Sequence, residues 1–342
     1  MQEKSSFEPQ TKSLFNKFSS AKSPKERKKV REVLFWVFGL TLLLVGSSFF
    51  YQFIPPLLAK LRQPEILISK KFSQISPIAT PTPRLNSVKR EVLAMTSPLK
   101  GEYGVYFQAL KTKEAFDING EKIFTAASLI KLPVLLTLYR ESEAGRIKLD
   151  DVYRLQEADK VGGAGSLQSK PAGYETTFRQ MAKLMGEQSD NTAFNIVSKT
   201  LSDEKIQDLI NALGMKNTSF ADNTTTPNDL GLLFQKLYGE KIVYDQNKDE
   251  ILAFLTNTIW EDRIPAGIPR GIKVSHKIGT EIGVISDAGI VFAEKPFILV
   301  IMSQEANEIE AKKALPEITK KIWEMICNIT SQFSHFVTSQ FS

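Results

Sequence analysis

Hydrophobic and polar positions change their spacing several times along this chain, and each change predicts a different element. Val33 to Ile54 is an uncharged apolar run long enough to cross a bilayer as a helix of ~30 Å. From Pro55 to Asn86 no period is sustained and proline recurs, as in I-A-T-P-T-P-R, which predicts a stalk without packed structure. Val88 to Met95 then predicts a short helix. G-E-Y-G-V-Y-F-Q-A and E-A-F-D-I-N-G-E-K-I-F predict two strands around a turn. An apolar run from Phe124 to Leu136 carries helical text on to Arg140. Thr176 to Leu213 reads as helices, with a stripe through Met181, Leu184 and Met185 and with Thr177 and Ser202 as caps. Three further strands follow, I-K-V-S-H-K-I-G-T, D-A-G-I-V-F-A and F-I-L-V-I-M-S, and then a long helix from about Asn307 to Ile329.

Assembled, these elements predict an α/β (α+β) fold. An antiparallel sheet of five strands is covered by the first and last helices, with an all-α lobe inserted between the second and third strands and one transmembrane helix ahead of it all. The boundaries fall at 1–32 for a basic tail, 33–54 for the membrane segment, 55–86 for the stalk and 87–333 for the folded domain.

Composition sharpens this in two places. With 342 residues, 42% hydrophobic and 24% charged, the chain can bury a large core and is neither disordered nor collagen-like. The net charge of +6 is uneven, because Lys17, Lys22, Lys25, Arg27, Lys28, Lys29 and Arg31 crowd the segment before Val33. Positive-inside bias puts residues 1–32 in the cytoplasm and the domain outside, held by an uncleaved single-pass anchor. A cleaved signal peptide is the alternative, but the basic region is long and no A-x-A site follows. A nucleic-acid partner is disfavoured, since the basic residues have this other use. One cysteine, Cys327, allows no intrachain disulfide and sits on the expected buried face of the last helix. Two histidines, His276 and His335, are too few for a metal site, so no metal or other cofactor is expected. His276, beside Lys277, is expected to position a strand.

The chemistry centres on Phe124–Leu136, F-T-A-A-S-L-I-K-L-P-V-L-L. Ser128 and Lys131 stand three residues apart, so on a helix they share a face. A lysine deprotonates a serine only when burial or nearby cations hold its pKa down, and Ile130, Leu132, Val134, Leu135 and Leu136 supply an apolar wall. Pro133 either sits in the first turn or kinks the helix. Alone S-x-x-K is a weak signal. Ser189-Asp190-Asn191 and Lys277-Ile278-Gly279-Thr280 follow it in the order and rough spacing that S-x-x-K serine hydrolases require. The loop V-G-G-A-G-S-L-Q has glycines that permit a ligand close to the backbone, but no phosphate-loop setting.

These motifs, with L-M-G-E-Q-S-D-N-T-A-F-N and H-K-I-G-T-E-I-G-V-I-S-D-A-G-I-V-F around them, resemble class A β-lactamases and, more distantly, penicillin-binding proteins, from about Val105 to Ser303. The resemblance implies an α/β/α sandwich beside an all-α lobe with the serine at their junction. It makes Ser128 the nucleophile, Lys131 its base, Ser189 a proton relay to the leaving nitrogen and Lys277 the neighbour that lowers its pKa. Backbone N–H groups of Ser128 and Thr280 would hold the oxyanion, Asn191 would bind a substrate amide, and Asp190 would be structural. Gly279 belongs to the same substrate-side motif. Lys277, the Thr280 hydroxyl and Arg263, in D-R-I-P-A-G-I-P, would take a substrate carboxylate, Arg263 being otherwise a surface charge. The implied ligand is a small β-lactam or a peptidoglycan-like D-Ala peptide.

Two departures stand out. Ile278 replaces the usual Thr or Ser of K-T-G. The E-P-x-L-N loop, whose glutamate activates the deacylating water in class A enzymes, has no counterpart. Glu204 is the only glutamate between Asn191 and Thr224, in the first turn of a helix where the dipole explains it, which leaves Asp222 in the shortened loop as the candidate surrogate acid for deacylation. Three readings follow: a β-lactam- or D-Ala-amide-hydrolysing enzyme, a penicillin-binding DD-carboxypeptidase or esterase, and a slowly deacylating β-lactam-binding module.

Overall fold

Residues 83–327 are described by the structure, a computed structural model, and in their order the elements follow the alternation of the sequence. Helix α1 (Pro83–Thr96) leads into β1 (Glu102–Ala109), β2 (Ala115–Ile118) and the two-residue β3 (Phe124–Thr125). A 3₁₀ turn, Ala127–Ile130, runs directly into α2 (Lys131–Glu143). The lobe comprises β4 (Val152–Arg154), β5 (Glu175–Thr177), α3 (Phe178–Glu187), α4 (Asn191–Leu201) and α5 (Asp203–Ala212). Then come β6 (Thr224–Thr225), α6 (Pro227–Gly239), α7 (Asp245–Phe254), β7 (Lys273–Glu281), β8 (Val284–Phe292), β9 (Phe297–Gln304) and α8 (Glu308–Cys327).

The five-stranded antiparallel sheet runs β2-β1-β9-β8-β7, so the first hairpin joins the last three strands through β1 and β9. β9 lies in the middle and is apolar on both faces. Phe297, Leu299 and Ile301 enter one core with Val88 and Val92 of α1 and Ile318 and Ile322 of α8. Ile298, Val300 and Met302 enter the other, shared with α2, α6 and the lobe. Helix α2 is buried from Lys131 through Tyr139, because apolar residues surround it rather than striping it. Each fully buried leucine or valine there contributes about 1.5–3 kcal/mol.

Several expectations are corrected. The packed chain begins at Pro83, inside the span assigned to the stalk, because Leu85 is buried and Arg84 donates to the Met325 and Ile326 carbonyls of α8. The second strand ends at Ile118, and Phe124–Thr125 pairs instead with Thr224–Thr225, two segments too short for period-2 patterning to reveal. Thr177 caps α3 with a full capping box through Gln180, whereas Ser202 begins α5 at φ 73° with no side-chain cap bond. Glu204 is exposed in that helix's first turn, as expected. The basic tail, the 33–54 membrane segment, the rest of the stalk, the Cys327 side chain and His335 lie outside the described residues. No helix among the described residues is long and apolar enough to cross a membrane.

Candidate active site

Ser128 is the second residue of the 3₁₀ turn, not of the helix proper, and the turn is entered through Ala127 at φ 48°, a left-handed conformation costly for alanine. Continuing directly into α2, the turn keeps the three-residue spacing on one face, with Pro133 unkinked in the first helical turn. Lys131 Nζ lies 2.9 Å from Ser128 Oγ. It also donates to the Ser189 carbonyl at 2.8 Å, Asn191 Oδ1 at 2.7 Å and Ser189 Oγ at 3.2 Å. The two closest acceptors are carbonyl oxygens, which cannot donate back. A neutral amine has two hydrogens, so those carbonyls can take both and leave its lone pair toward Ser128. Burial draws Lys131 down to about 8, with the Asp190 charge pulling the other way, and the amine also lies 5.4 Å from the Phe194 ring centroid.

The S-D-N segment is held with equal care. Ser189 is buried at φ 57°, and Asp190 is fully enclosed, accepting from Ala193 N at 2.9 Å as the cap of α4 and from Leu167 N at 2.8 Å. Asp190 is therefore structural. The glycine loop approaches this segment and not a ligand: a Cβ on Gly165 would fall 2.2 Å from the Asp190 carboxylate, and one on Gly163 2.8 Å from Asn191 Nδ2. Asn191 gives one Nδ2 hydrogen to the Gly162 carbonyl at 3.0 Å, and its second remains for a ligand.

β7 forms the facing wall. Gly279 is required there, since a Cβ would stand 2.8 Å from the Ala126 carbonyl and 3.1 Å from Leu129. His276 N–H donates out of the sheet to the Leu255 carbonyl at 2.7 Å. Two-residue alternation turns the Thr280 N–H to that same open edge, beside the Ser128 turn. Ser128 N–H itself has no acceptor among the described residues, as befits an early position in a helical turn. Lys277 is 1% exposed, and its Nζ donates to the Ile278 carbonyl at 3.2 Å. Burial holds it well below the ordinary lysine range, and the Lys131 charge lowers it further against the opposing pull of Asp287. The expected Ser189–Lys277 contact is not a hydrogen bond here; Lys131 occupies the space next to Ser189.

Arg263 corrects both of its expected readings. It is neither a surface charge nor open to a ligand, being 2% exposed. Its Nη1 donates to the Gly279 and Ser286 carbonyls at 2.9 and 2.6 Å, and its Nη2 to the Thr280 hydroxyl, so it fixes Thr280 from behind. Its loop is tied to the sheet by Asp287, which accepts from Ile264 N at 3.0 Å and from His276 Nδ1 at 2.9 Å. His276 positions the strand, as expected, and does so through this network. Burial alone would lower its pKa, but Asp287 and Glu261 together raise it to about 9.

The two short strands β3 and β6 pull a tight hairpin, closed by the Ser219–Thr224 bridge, over the serine. Asp222 is exposed in that hairpin and its carboxylate accepts from Ser219 Oγ at 2.7 Å, so it is not brought to the serine. The pocket, of about 370 Å³, is lined by Ser128, Lys131, Asn191 and Thr280 together with Ala127, Ile130, Phe194, Phe220, Asn223 and Glu281. Sequence reasoning missed the last four. Phe194, one helical turn after Asn191, was open to discovery by spacing; Phe220, Asn223 and Glu281 meet only through the hairpin and the end of β7.

A serine hydrogen-bonded to a buried lysine, flanked by S-D-N and K-I-G-T on a lobe and a sheet edge, is the arrangement of a serine hydrolase. The family model for the beta-lactamase enzyme family matches residues 87–326, and the chain belongs to that family. Beta-lactamase VEB-1 of Pseudomonas aeruginosa is 23% identical, over 63% of this chain and 82% of its own. Among solved structures, PBP-A is 25% identical with a TM-score of 0.67, covering 70% of this chain and 96% of its own. A β-lactamase from Sphaerobacter thermophilus is 27% identical with a TM-score of 0.66, covering 70% and 96%.

Proposed function

We propose that this serine hydrolase opens the amide of a β-lactam, or a D-Ala-like amide, through an acyl-enzyme on Ser128 that is hydrolysed slowly. The observation that carries the reading is the Lys131 amine, pointed at Ser128 by two carbonyl acceptors. Neutral Lys131 takes the Ser128 proton as Oγ bonds to the carbonyl carbon, and the Ser128 and Thr280 N–H groups receive the oxyanion. When the tetrahedral intermediate collapses, the C–N bond breaks and the proton passes from Lys131 through Ser189 Oγ to the leaving nitrogen. Asn191 donates to a ligand amide carbonyl. The Thr280 hydroxyl takes a carboxylate, with the Arg263 guanidinium that positions it supplying charge behind it.

Slow hydrolysis is supported by the wall the hairpin presents. Phe220 and Asn223 stand there, Asp222 is engaged by Ser219, and Glu281, the one carboxylate among the lining residues, has no hydrogen bond to the Ser128 cluster. That absence of a water-activating acid favours a second reading, a penicillin-binding carboxypeptidase or esterase, to which the similarity with PBP-A also leans. A variant of PBP-A has been captured as an acyl-enzyme complex with penicillin-G. Mixing the protein with a chromogenic cephalosporin tests both. A burst of about one equivalent, an acyl adduct by intact mass and a slow steady rate are expected, all lost in Ser128→Ala. A fast linear rate without adduct would refute slow deacylation, and an undiminished adduct in Ser128→Ala would place the nucleophile elsewhere.

Residues 33–54 are proposed as a membrane anchor with the domain outside the cell membrane, on the strength of the uncharged run and the basic cluster before it. External protease on intact cells should release the domain; survival of the full-length chain would rule this topology out.

A further inference from the structure

Among the described residues Glu281 is the one charged group that a ligand meets at the mouth of the pocket, because Lys131, the other ionisable lining residue, is 2% exposed and committed to Ser128. It is exposed at the end of β7, immediately after Thr280. Asn223 Nδ2, from the hairpin across the mouth, donates to its Oε1 at 3.3 Å. Among the described residues Glu281 has no ion-pair partner, and a neutral amide leaves its charge uncancelled. Asn223 is itself fixed: it sits at φ 51°, and its carbonyl accepts from Ala126 N at 2.8 Å, next to the serine turn. Its Oδ1 is enclosed without a hydrogen-bond partner. Ile130, Phe194 and Phe220 line the same pocket and offer no competing charge.

A solvated surface glutamate would need neither the cross-pocket amide nor the strained, tethered asparagine that supplies it. We infer that Glu281 and Asn223 form a subsite for a cationic substituent, an ammonium group carried on the substrate beside the reacting carbonyl. An ammonium has three donors, and the free Glu281 carboxylate oxygen accepts from it while Asn223 Nδ2 holds the other oxygen in place. An anionic substituent there meets the Glu281 charge and is disfavoured. The inference rests on the acylation chemistry proposed above and adds the class of substrate to it.

Three penicillins that differ at one carbon test it: ampicillin bears an ammonium, benzylpenicillin a hydrogen and carbenicillin a carboxylate. Second-order acylation rates at low salt and slightly acidic pH should fall in that order, by roughly fivefold per step, the scale of a part-exposed charge pair. Glu281→Gln should draw the three rates together, and Glu281→Lys should reverse their order. Equal rates in the wild type, or an order that Glu281→Gln leaves unmoved, would overturn the subsite while acylation stands. Acylation by none of the three would overturn the proposed function and the subsite with it.

Discussion

The two walls that meet over Ser128 are built to different standards. On the lobe side every polar atom around Lys131 is assigned: two carbonyls and two hydroxyls surround the amine, Asp190 caps α4, and two glycines let a loop close over the motif. On the hairpin side stand an aromatic ring, a tethered asparagine with an unpartnered oxygen, and an acid turned into its own turn. In the proposed mechanism the first wall serves bond formation to Ser128 and the second would have to serve water. If the proposed mechanism holds, the contrast teaches that one fold can order the groups for acylation closely while leaving those for deacylation sparse.

The sharpest way to break that contrast is to disable the good wall. Lys131→Ala removes the one base hydrogen-bonded to Ser128 Oγ among the described residues and should slow acylation by roughly 10²- to 10⁴-fold. Stopped-flow labelling with a fluorescent penicillin measures it. Labelling at the wild-type rate would mean another group takes the proton, and Lys277, itself lowered by burial, would be the one to test next. In the wild type the acylation rate should rise through pH about 8 as Lys131 loses its proton.

A smaller effect is expected from the anchoring of the sheet-side wall, where the buried His276 joins β7 to the loop that carries Arg263. Its folded pKa of about 9 exceeds the ordinary 6.5, so the protonated form is favoured by folding. The stability it contributes is complete below pH 6.5 and is lost as pH rises through 9, about 3 kcal/mol in all. Melting temperature followed from pH 6 to 10 should fall across that window in the wild type, and His276→Asn should melt lower with a flatter profile. A parallel pair of profiles would show that His276 is not charged in the fold.

How much of this was legible beforehand follows the range of the interactions. Ser128–Lys131 is a contact within one helical turn, so spacing reveals it, and the unbroken apolar run F-I-L-V-I-M-S is that of a strand buried on both faces. Arg263 was misjudged because its burial depends on Gly279, Ser286 and Thr280, contributed by two strands that follow it in the chain. Ser202 has the right residue type for a cap but a backbone at φ 73° that gives its hydroxyl no N–H to accept from. The hairpin's position follows from β3–β6, two residues on each side and a hundred apart in the chain, for which no periodicity exists.

The least effect, and the one that most directly tests the poor wall, is expected from Asp222. Its position in the shortened loop makes it the nearest acid in sequence to where a water-activating carboxylate would stand, so Asp222→Asn is the natural experiment. The structure argues that nothing should happen. The carboxylate is exposed and accepts from Ser219 Oγ, and Ser219 Oγ accepts in turn from Asp222 N at 3.2 Å, a closed local turn that asparagine can also make. Stability should therefore change by no more than about 0.5 kcal/mol, the usual range for surface substitutions. Burst amplitude and slow steady rate should both match the wild type, since no step passes through this side chain. An intact burst with the slow phase flattened would show instead that acylation releases the hairpin, swings Asp222 toward the ester and makes it the base, and the separation between the two walls would then hold only for the free enzyme.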